Sequence, residues 1–524
     1  PARTKVPSSG TARRALARAE SLGYDELLRR HRAAWDERWH DADLVVTGDA
    51  DDQQAIRFSI FHMISTAHPT KDTVSVGARG LGGMSYFLHV FWDCEIFVLP
   101  FFIYSHPQTA RTLLAYRYRN LEGARQKARD MGHRGALYPW ESADKGVETT
   151  PPYGFGPGGE IVPILSGLME HHISGDVAWG VWEYWKATAD DEFMKSMGVE
   201  IMLETARFWS SRASLDEEGR YHITMVVGPD EYHEGVDDNA YTNVLARWNI
   251  RRAIDALGWL EEADPGRAED LRRALELADG ELEEWRRVAS ALVDGFDPET
   301  RLFEQFAGFY DMDDVPVEKL RPRPMAADLM LGRDVTLRSK VVKQADVVML
   351  CYILSDEISD DVARANYDYY EPITSHGSSL SPGIHAAVAA QFGELDDAVK
   401  DFKMATAIDL ADNMGNAARG LHMATMGGIW QAAVMGFAGL QRRDEALRID
   451  PHLPPGWKSV RVPLQFRGAR AVFDVRRRRS SDEVGITIER APLTVLLDGI
   501  EHELQPGNHR LRRGDGEAWQ EVSS

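Results

Sequence analysis

A mainly helical (α/α) toroid followed by a small β-sandwich is the fold class the sequence predicts, on three observations. Helical patterns recur from about residue 53 to residue 440, with long polar loops between them. The chemically loaded segments fall in those loops, as expected where paired helices surround a centre and gather their connections at one end. After Asp450 the period changes from that of a helix to two residues, the spacing of a strand.

In chain order, Leu27, Leu28, His31, Trp35 and Trp39 recur at helical spacing over residues 24–39, and the polar stretch 47–52 ends that helix. Residues 1–52 are therefore expected to form a helical leader. Residues 53–448 are expected to form the toroid, with helices over 56–65, 176–188, 202–212, 241–257, 266–291, 394–410 and 428–439. Residues 449–524 are expected to form the sandwich. There the Pro-rich hinge 452–456 leads into Val460, Val462, Leu464 and Phe466, then Val472, Phe473 and Val475, then Ile486 and Ile488, then 493–497, with Asp498 and Gly499 as a hairpin turn. The arginine run 476–479 reads as a solvated strand edge or as an anion site.

A chain of 524 residues with 44% hydrophobic content can bury two or three cores. A net charge of −22 opposes nucleic acid and anionic membrane surfaces, which need a concentrated positive field. Only Cys94 and Cys351 occur, both among apolar neighbours, so core thiols and a cytoplasmic location are expected. The apolar runs 97–104 and 347–354 are too short to span a bilayer, and no signal peptide is visible. The opening Pro1 and the basic stretch after it suggest a fragment or a processed piece.

Residues 228–243, GPDEYHEGVDDNAYTN, hold five carboxylates, a histidine and two asparagines. Such a Gly/Pro-led run suits a catalytic loop in which crowding raises one pKa until the carboxyl can act as an acid, and Gly228, Pro229 and Asp230 would present Glu231. It also suits a solvated acidic loop. Tyr232, Tyr241, Asn239 and Asn243 tip the reading toward a polyol pocket. Two further segments, HVFWDCE (89–95) and YPWES (138–142), set tryptophan beside carboxylate at Trp92–Asp93 and Trp140–Glu141. An indole covers the apolar face of a pyranose while a carboxylate orients its hydroxyls; a core tryptophan beside a helix cap has the same composition. Lys343 and Gln344 could reach sugar hydroxyls, or Lys343 could pair with Asp346. SHGSSLS (375–381) offers hydroxyls and main-chain donors fit for a phosphate, or a plain serine cap. His422 precedes Gly427 and Gly428, where backbone could approach a ligand. His171, His172 and Asp176 lack an HExxH or CxxC frame, so no metal is expected and His172–Asp176 reads as a cap or pair.

Taken in order, these segments resemble glycoside hydrolase family 65, the inverting α-glucoside phosphorylases and related hydrolases. HVFWDCE is similar to the family's HVFWDTE, YPWES matches, HHISGDVAWGVWEYW is similar to its HHI-x-AD-x-A-x-A-x-WQYW, and GPDEYHEGVDDNAYTN matches its catalytic loop; KQADV, YYEPITSHGSSLS and GLHMATMGGIW follow. The resemblance runs from about Tyr24 to the end. It implies an (α/α)6 barrel with a C-terminal β-sandwich; the family's usual N-terminal β-sandwich is absent from this chain. It implies Glu231 as general acid, Trp92, Asp93, Lys343 and Gln344 as donor-glucose binders beside Trp140 and Glu141, and Ser378, Ser379 and His422 as the phosphate cradle. It also implies no cofactor, inorganic phosphate as co-substrate and a homodimer.

Inverting hydrolysis needs a second carboxylate to activate water, whereas phosphate is already an anion and calls for neutral or positive donors. Phosphorolysis of an α-glucoside to β-glucose 1-phosphate is the expectation, with trehalose, kojibiose, maltose and nigerose all open. The rivals are a trehalase-like hydrolase of the same fold using a base such as Glu371, a catalytically silent sugar-binding fragment, and, more distantly, a metal-dependent hydrolase. One stretch departs from the family: GGMSYFL (82–88) stands where GEGYxG is usual, which would narrow or dry the acceptor side through Phe87 and Leu88.

Overall fold

A computed structural model describes residues 9–83, 85–155, 159–320, 327–478, 481–514 and 516–522. Residues 1–8, Met84 of the departing stretch and Arg479 of the arginine run lie outside the described residues.

Six helices form an inner ring: Asp93–Val98 running into Leu99–Ser105, Ile173–Thr188, Ala240–Ala263, Val347–Ile353, Ser381–Gln391, and Met423–Gln431 running into Ala432–Phe437. Each packs on the next, and the sixth packs back on the first, which closes the ring. The inner helices are apolar nearly all round because they meet neighbours on every side; in Ser381–Gln391 each residue from Ser381 to Ala390 is buried. Outside them lie Pro107–Arg119, Val199–Arg212, Glu281–Ala291, Asp360–Tyr370 and Leu395–Leu410, each following its inner partner in the chain. The sixth outer place is taken by Ala50–Thr66 from the start of the chain. Its cap is Asp49, whose carboxylate accepts from the Asp51 and Asp52 amides at 3.0 Å.

Glycines set the closeness of the ring. A Cβ on Gly427 would stand 2.1 Å from the Phe97 carbonyl oxygen, and one on Gly383 would stand 2.9 Å from the Gly428 carbonyl carbon. These glycines serve contact between helices, which corrects the expectation that the 427–428 pair admits a ligand.

The C-terminal unit is two packed sheets. One has the order Val45–Thr47, Ser459–Phe466, Ala469–Arg478, Ser481–Glu489, Gly507–Gly514 and Gln520–Glu521, all antiparallel. The other has the order Ile500–Leu504, Leu493–Leu497, Ala446–Ile449 and Leu440–Arg443. The expected turn at Asp498–Gly499 joins two of these strands, with φ of 49° and 81°. Strands begin at Leu440, ahead of the expected boundary, and residues 45–47 of the leader join the larger sheet; pairing across long sequence distances leaves no local signal. In the arginine run, Arg476 pairs with Asp474 at 2.7 Å, and residues 476–478 lie at the exposed end of an interior strand rather than on a sheet edge.

Two helical expectations change. The leader helix spans Ser9–His40, interrupted at Gly23 (φ 74°, ψ 165°), so it begins well before residue 24. The single helix expected over 266–291 is two, Pro265–Ala274 and Glu281–Ala291, separated by a turn ending at Gly280 (φ 82°). Both cysteines are buried, and burial pushes each thiol up to about 12. Among the described residues, no helix is long and apolar enough to cross a membrane.

Candidate active site

All six inner helices start at one end of the barrel, and each start coincides with a loaded segment: Trp92–Asp93, His172, Asn239, Asp346, Leu380–Ser381 and His422. Their unsatisfied amides and positive dipole ends therefore converge there. A cavity of about 480 Å³ opens at that end, lined by Trp92, Asp93, Trp140, Glu141, Glu231, Lys343, Ser378, Ser379 and His422 together with residues from the 78–91, 150–166 and 414–416 loops. Nine of the ten site residues chosen from the sequence line this one cavity. Gln344 does not: its side chain is buried and donates to the Pro229 carbonyl at 2.6 Å, behind the loop that carries Glu231.

The two tryptophan–carboxylate segments are brought together by a β-bridge between Val90 and Ser142, whose amides and carbonyls exchange hydrogen bonds of 2.9 and 3.0 Å. Glu148 then pins the second segment, accepting from the amides of Trp140 (2.9 Å), Glu141 (3.2 Å), Thr149 (3.1 Å) and Thr150 (3.1 Å). Trp92 and Trp140 lie 6.3 Å apart, and the His172 ring meets them edge-on at 4.9 and 5.4 Å. Nδ1 of His172 bonds Asp176 at 2.7 Å, whose other oxygen accepts from Tyr241 at 2.7 Å, so the pair expected at 172/176 supports the floor of the cavity from below.

Asp230 is the anchor of the acidic loop. It is buried and accepts from the Lys343 amide (2.8 Å), Gln305 (2.8 Å) and His233 (2.7 Å). Burial pushes its carboxyl up, but the His233 charge and these donors hold it below its ordinary value. Glu231, next along, turns into the cavity with its side chain 38% exposed and its Oε2 3.0 Å from Lys343 Nζ. Burial pulls the Lys343 ammonium down, yet the adjacent Glu231 carboxylate outweighs it and holds the pKa above its usual value. Lys343 thus pairs with Glu231 and not with Asp346. The raised carboxyls of this region are Asp93, pushed up to about 7, and Glu170, pushed up to about 8, in each case chiefly by burial with the Glu231 charge adding. Asp346, at about 7, is raised by burial and by Asp230. Glu141 is also raised, by burial, against the 2.7 Å contact with His89.

Tyr232, Tyr241, Asn239 and Asn243, read from the sequence as pocket residues, are buried scaffold. Tyr241 holds Asp176, Asn239 caps the Ala240–Ala263 helix, Asn243 donates to the Val293 carbonyl at 2.7 Å, and the Tyr232 hydroxyl accepts from the Ala327 amide at 2.9 Å.

Opposite these acids the wall is made of donors. Residues 375–377 run beside 342–343, with the Ser375 amide on the Val342 carbonyl (2.7 Å) and the Gly377 amide on the Lys343 carbonyl (2.6 Å), which ties the serine loop to Lys343. Ser378 and Ser379 then face the cavity just ahead of the Ser381–Gln391 helix. His422 is fixed by Asp409, which takes its amide at 2.9 Å and its Nδ1 at 2.7 Å, leaving Nε2 for a ligand. Behind the serine loop, Glu371, His376, His385 and Asp401 bring possible metal-ligand atoms within 4.8 Å of one another, but they are bonded among themselves and to Ser381 and lie outside the cavity lining. Tyr86 of the departing stretch also lines the cavity, as do Arg79, Asn416 and Met414, which no local pattern marks, because only the folded loops bring them there.

Sequence profiles add family evidence to this geometry. The Glycosyl hydrolase family 65 central catalytic domain matches residues 57–431, and the family's C-terminal domain matches residues 440–504. The chain is 44% identical over 474 residues to a kojibiose phosphorylase of Halothermothrix orenii, covering 90% of this chain and 61% of that protein. It is 37% identical to an alpha,alpha-trehalose phosphorylase of Geobacillus stearothermophilus (92% and 61%) and 32% identical to a maltose phosphorylase of Bacillus subtilis (87% and 58%). The chain therefore spans about three-fifths of the length of these curated relatives. A solved human-microbiome structure, described as a candidate kojibiose phosphorylase, superposes with a TM-score of 0.87 at 28% identity, over 97% of this chain and 68% of that one. With both profiles in chain order on the barrel and on the sandwich, this chain belongs to glycosyl hydrolase family 65.

Proposed function

We propose that this protein carries out inverting phosphorolysis of an α-linked glucoside, releasing β-glucose 1-phosphate and the acceptor sugar. The observation that carries the reading is one cavity holding both a carboxyl poised on a loop, Glu231, and a wall of neutral or cationic donors, Ser378, Ser379 and His422, at the start of two helices. The donor glucose lies at the enclosed end, over Trp92 and Trp140, with its hydroxyls on Asp93, Glu141 and Lys343. Gln344 acts on the loop and not on the sugar, through the Pro229 carbonyl.

Glu231 in its acid form gives its proton to the glycosidic oxygen. A phosphate oxygen attacks the anomeric carbon from the opposite face, and the carbon–oxygen bond to the acceptor breaks with inversion. No cofactor enters this balance. The donor wall and the converging helix ends stabilise the phosphate in spite of the chain's negative charge. Glu371, the example of a hydrolytic base read from the sequence, is buried against His385 outside the lining. The homologues support an α-glucoside; kojibiose, trehalose and maltose are the substrates to compare.

The test is release of glucose 1-phosphate and glucose from α-glucobioses with and without phosphate. Phosphate-dependent sugar phosphate, reduced about 10²- to 10⁴-fold in Glu231→Gln, is expected. Glucose release indifferent to phosphate would sink the proposal.

A further inference from the structure

The cavity changes character along its length. Trp92, Asp93, Glu141 and His422 are buried at its inner end, whereas Tyr86, Phe87 and Met414 are exposed at its rim. Phe87 is 73% exposed although it lines the cavity. It is held there by an unusual backbone: Tyr86, Phe87 and Leu88 are all left-handed, with φ of 57°, 48° and 66°, a conformation that residues with side chains rarely adopt. Tyr86 fixes the turn, with its ring edge-on to Phe91 at 5.1 Å and the Arg79 guanidinium carbon 6.0 Å from its centroid. Phe87 has one ring contact among the described residues, His89 at 5.9 Å, so its face is available to a ligand.

Non-glycine residues held in left-handed backbone cluster at ligand-binding sites, and three in succession at a cavity mouth point to use of the side chain they present. A phenyl face at the mouth of a sugar-sized cavity is suited to the apolar C–H face of a pyranose or to an aryl ring; a short acyclic polyol has neither. We infer that Phe87 is the stacking platform for the acceptor, which is therefore a cyclic sugar or an aryl glycoside and not a small polyol. This rests on the phosphorylase reading of the cavity for the word acceptor, but the platform itself can be tested without turnover.

The experiment is titration calorimetry of phenyl β-glucoside and of glycerol into the protein carrying Glu231→Gln, with and without β-glucose 1-phosphate. It is repeated with Phe87→Gly and with Phe87→Tyr added. Glycine suits the left-handed φ at this position, so the first variant keeps the fold. Expected is binding of phenyl β-glucoside that weakens about tenfold in Phe87→Gly, stays within about twofold in Phe87→Tyr, and exceeds glycerol binding throughout. Equal affinity in Phe87→Gly and the parent, glycerol bound as well as the glucoside, or no binding of the glucoside at all would each overturn the inference. The arm lacking sugar phosphate decides this whatever the reaction is, whereas loss of phosphate-dependent turnover in the unmodified protein bears on the proposed function alone.

Discussion

Replacing Arg117 by methionine tests how the first loaded segment is held. Arg117 and Glu95 are each 1% exposed and form a two-pronged pair, Nε to Oε1 at 2.8 Å and Nη2 to Oε2 at 2.6 Å, and Nη2 also donates to the Phe91 carbonyl at 3.0 Å. The pair therefore clamps the backbone on both sides of Trp92 and Asp93. Arg117→Met leaves Glu95 as an uncompensated buried charge, at a cost of about 3–5 kcal/mol. Glu95→Leu strands the guanidinium at a similar cost. Removing both charges together restores an apolar contact, so the double variant should fall within about 2 kcal/mol of the parent. Urea unfolding followed by tryptophan fluorescence reads this directly, since with a slope of about 3 kcal/mol/M or more the single variants lose about 1 M in midpoint. A single variant within about 1 kcal/mol of the parent, or a double variant no better than the worse single, would refute the reasoning.

Three other outcomes follow from the same geometry. Asp346 has a folded pKa raised from 3.8 to about 7, so the unfolded chain releases its proton first and stability from this group falls as pH rises from about 4 through 7. Asp346→Asn should therefore be the more stable protein at pH 8, with its advantage shrinking by about 3 kcal/mol at pH 5; a gap independent of pH in thermal melts would contradict this. Gly427→Ala places a methyl 2.1 Å from the Phe97 oxygen between two helices, and a loss of about 1–3 kcal/mol in chemical unfolding is expected, where an unchanged midpoint would show that the helices part easily. Asp409→Asn loosens His422 without touching the tryptophan wall, so the KM for phosphate should rise about tenfold while that for the disaccharide stays within about twofold; equal changes in both would remove His422 from the phosphate side.

The outer helix Leu395–Leu410 and the strands of the sandwich were legible because one side of each meets water and the residue pattern keeps that record, as in the buried stripe Ala398, Phe402, Ala405 and Ile408 and in the Ser459–Phe466 strand. The inner helices were read unevenly: Ile173–Thr188, Ala240–Ala263 and Met423–Gln431 were expected near their places, whereas two others were missed. Asp93–Val98 with Leu99–Ser105 and Ser381–Gln391 are buried all round, so they have no polar face to set a period. At the site, side-chain chemistry stood out wherever a loop carried it, as with Glu231 and Ser378. It misled where the same residue types were building the loop itself, as with Tyr241, which holds Asp176, and Asn239, which caps a helix.

By itself the sequence determined the order of the loaded loops, the acid on one of them, the serine run on another, and the change from helical to strand period near Asp450, since each is a property of neighbours along the chain. The tertiary structure decided that six helix starts share one end of a ring, that Lys343 faces Glu231 and not Asp346, that Gln344 turns to Pro229, and that an exposed Phe87 stands at the rim. Those facts depend on which distant segments a closed ring brings within hydrogen-bonding or stacking distance, and ring closure is settled only when every inner helix has packed on both of its neighbours.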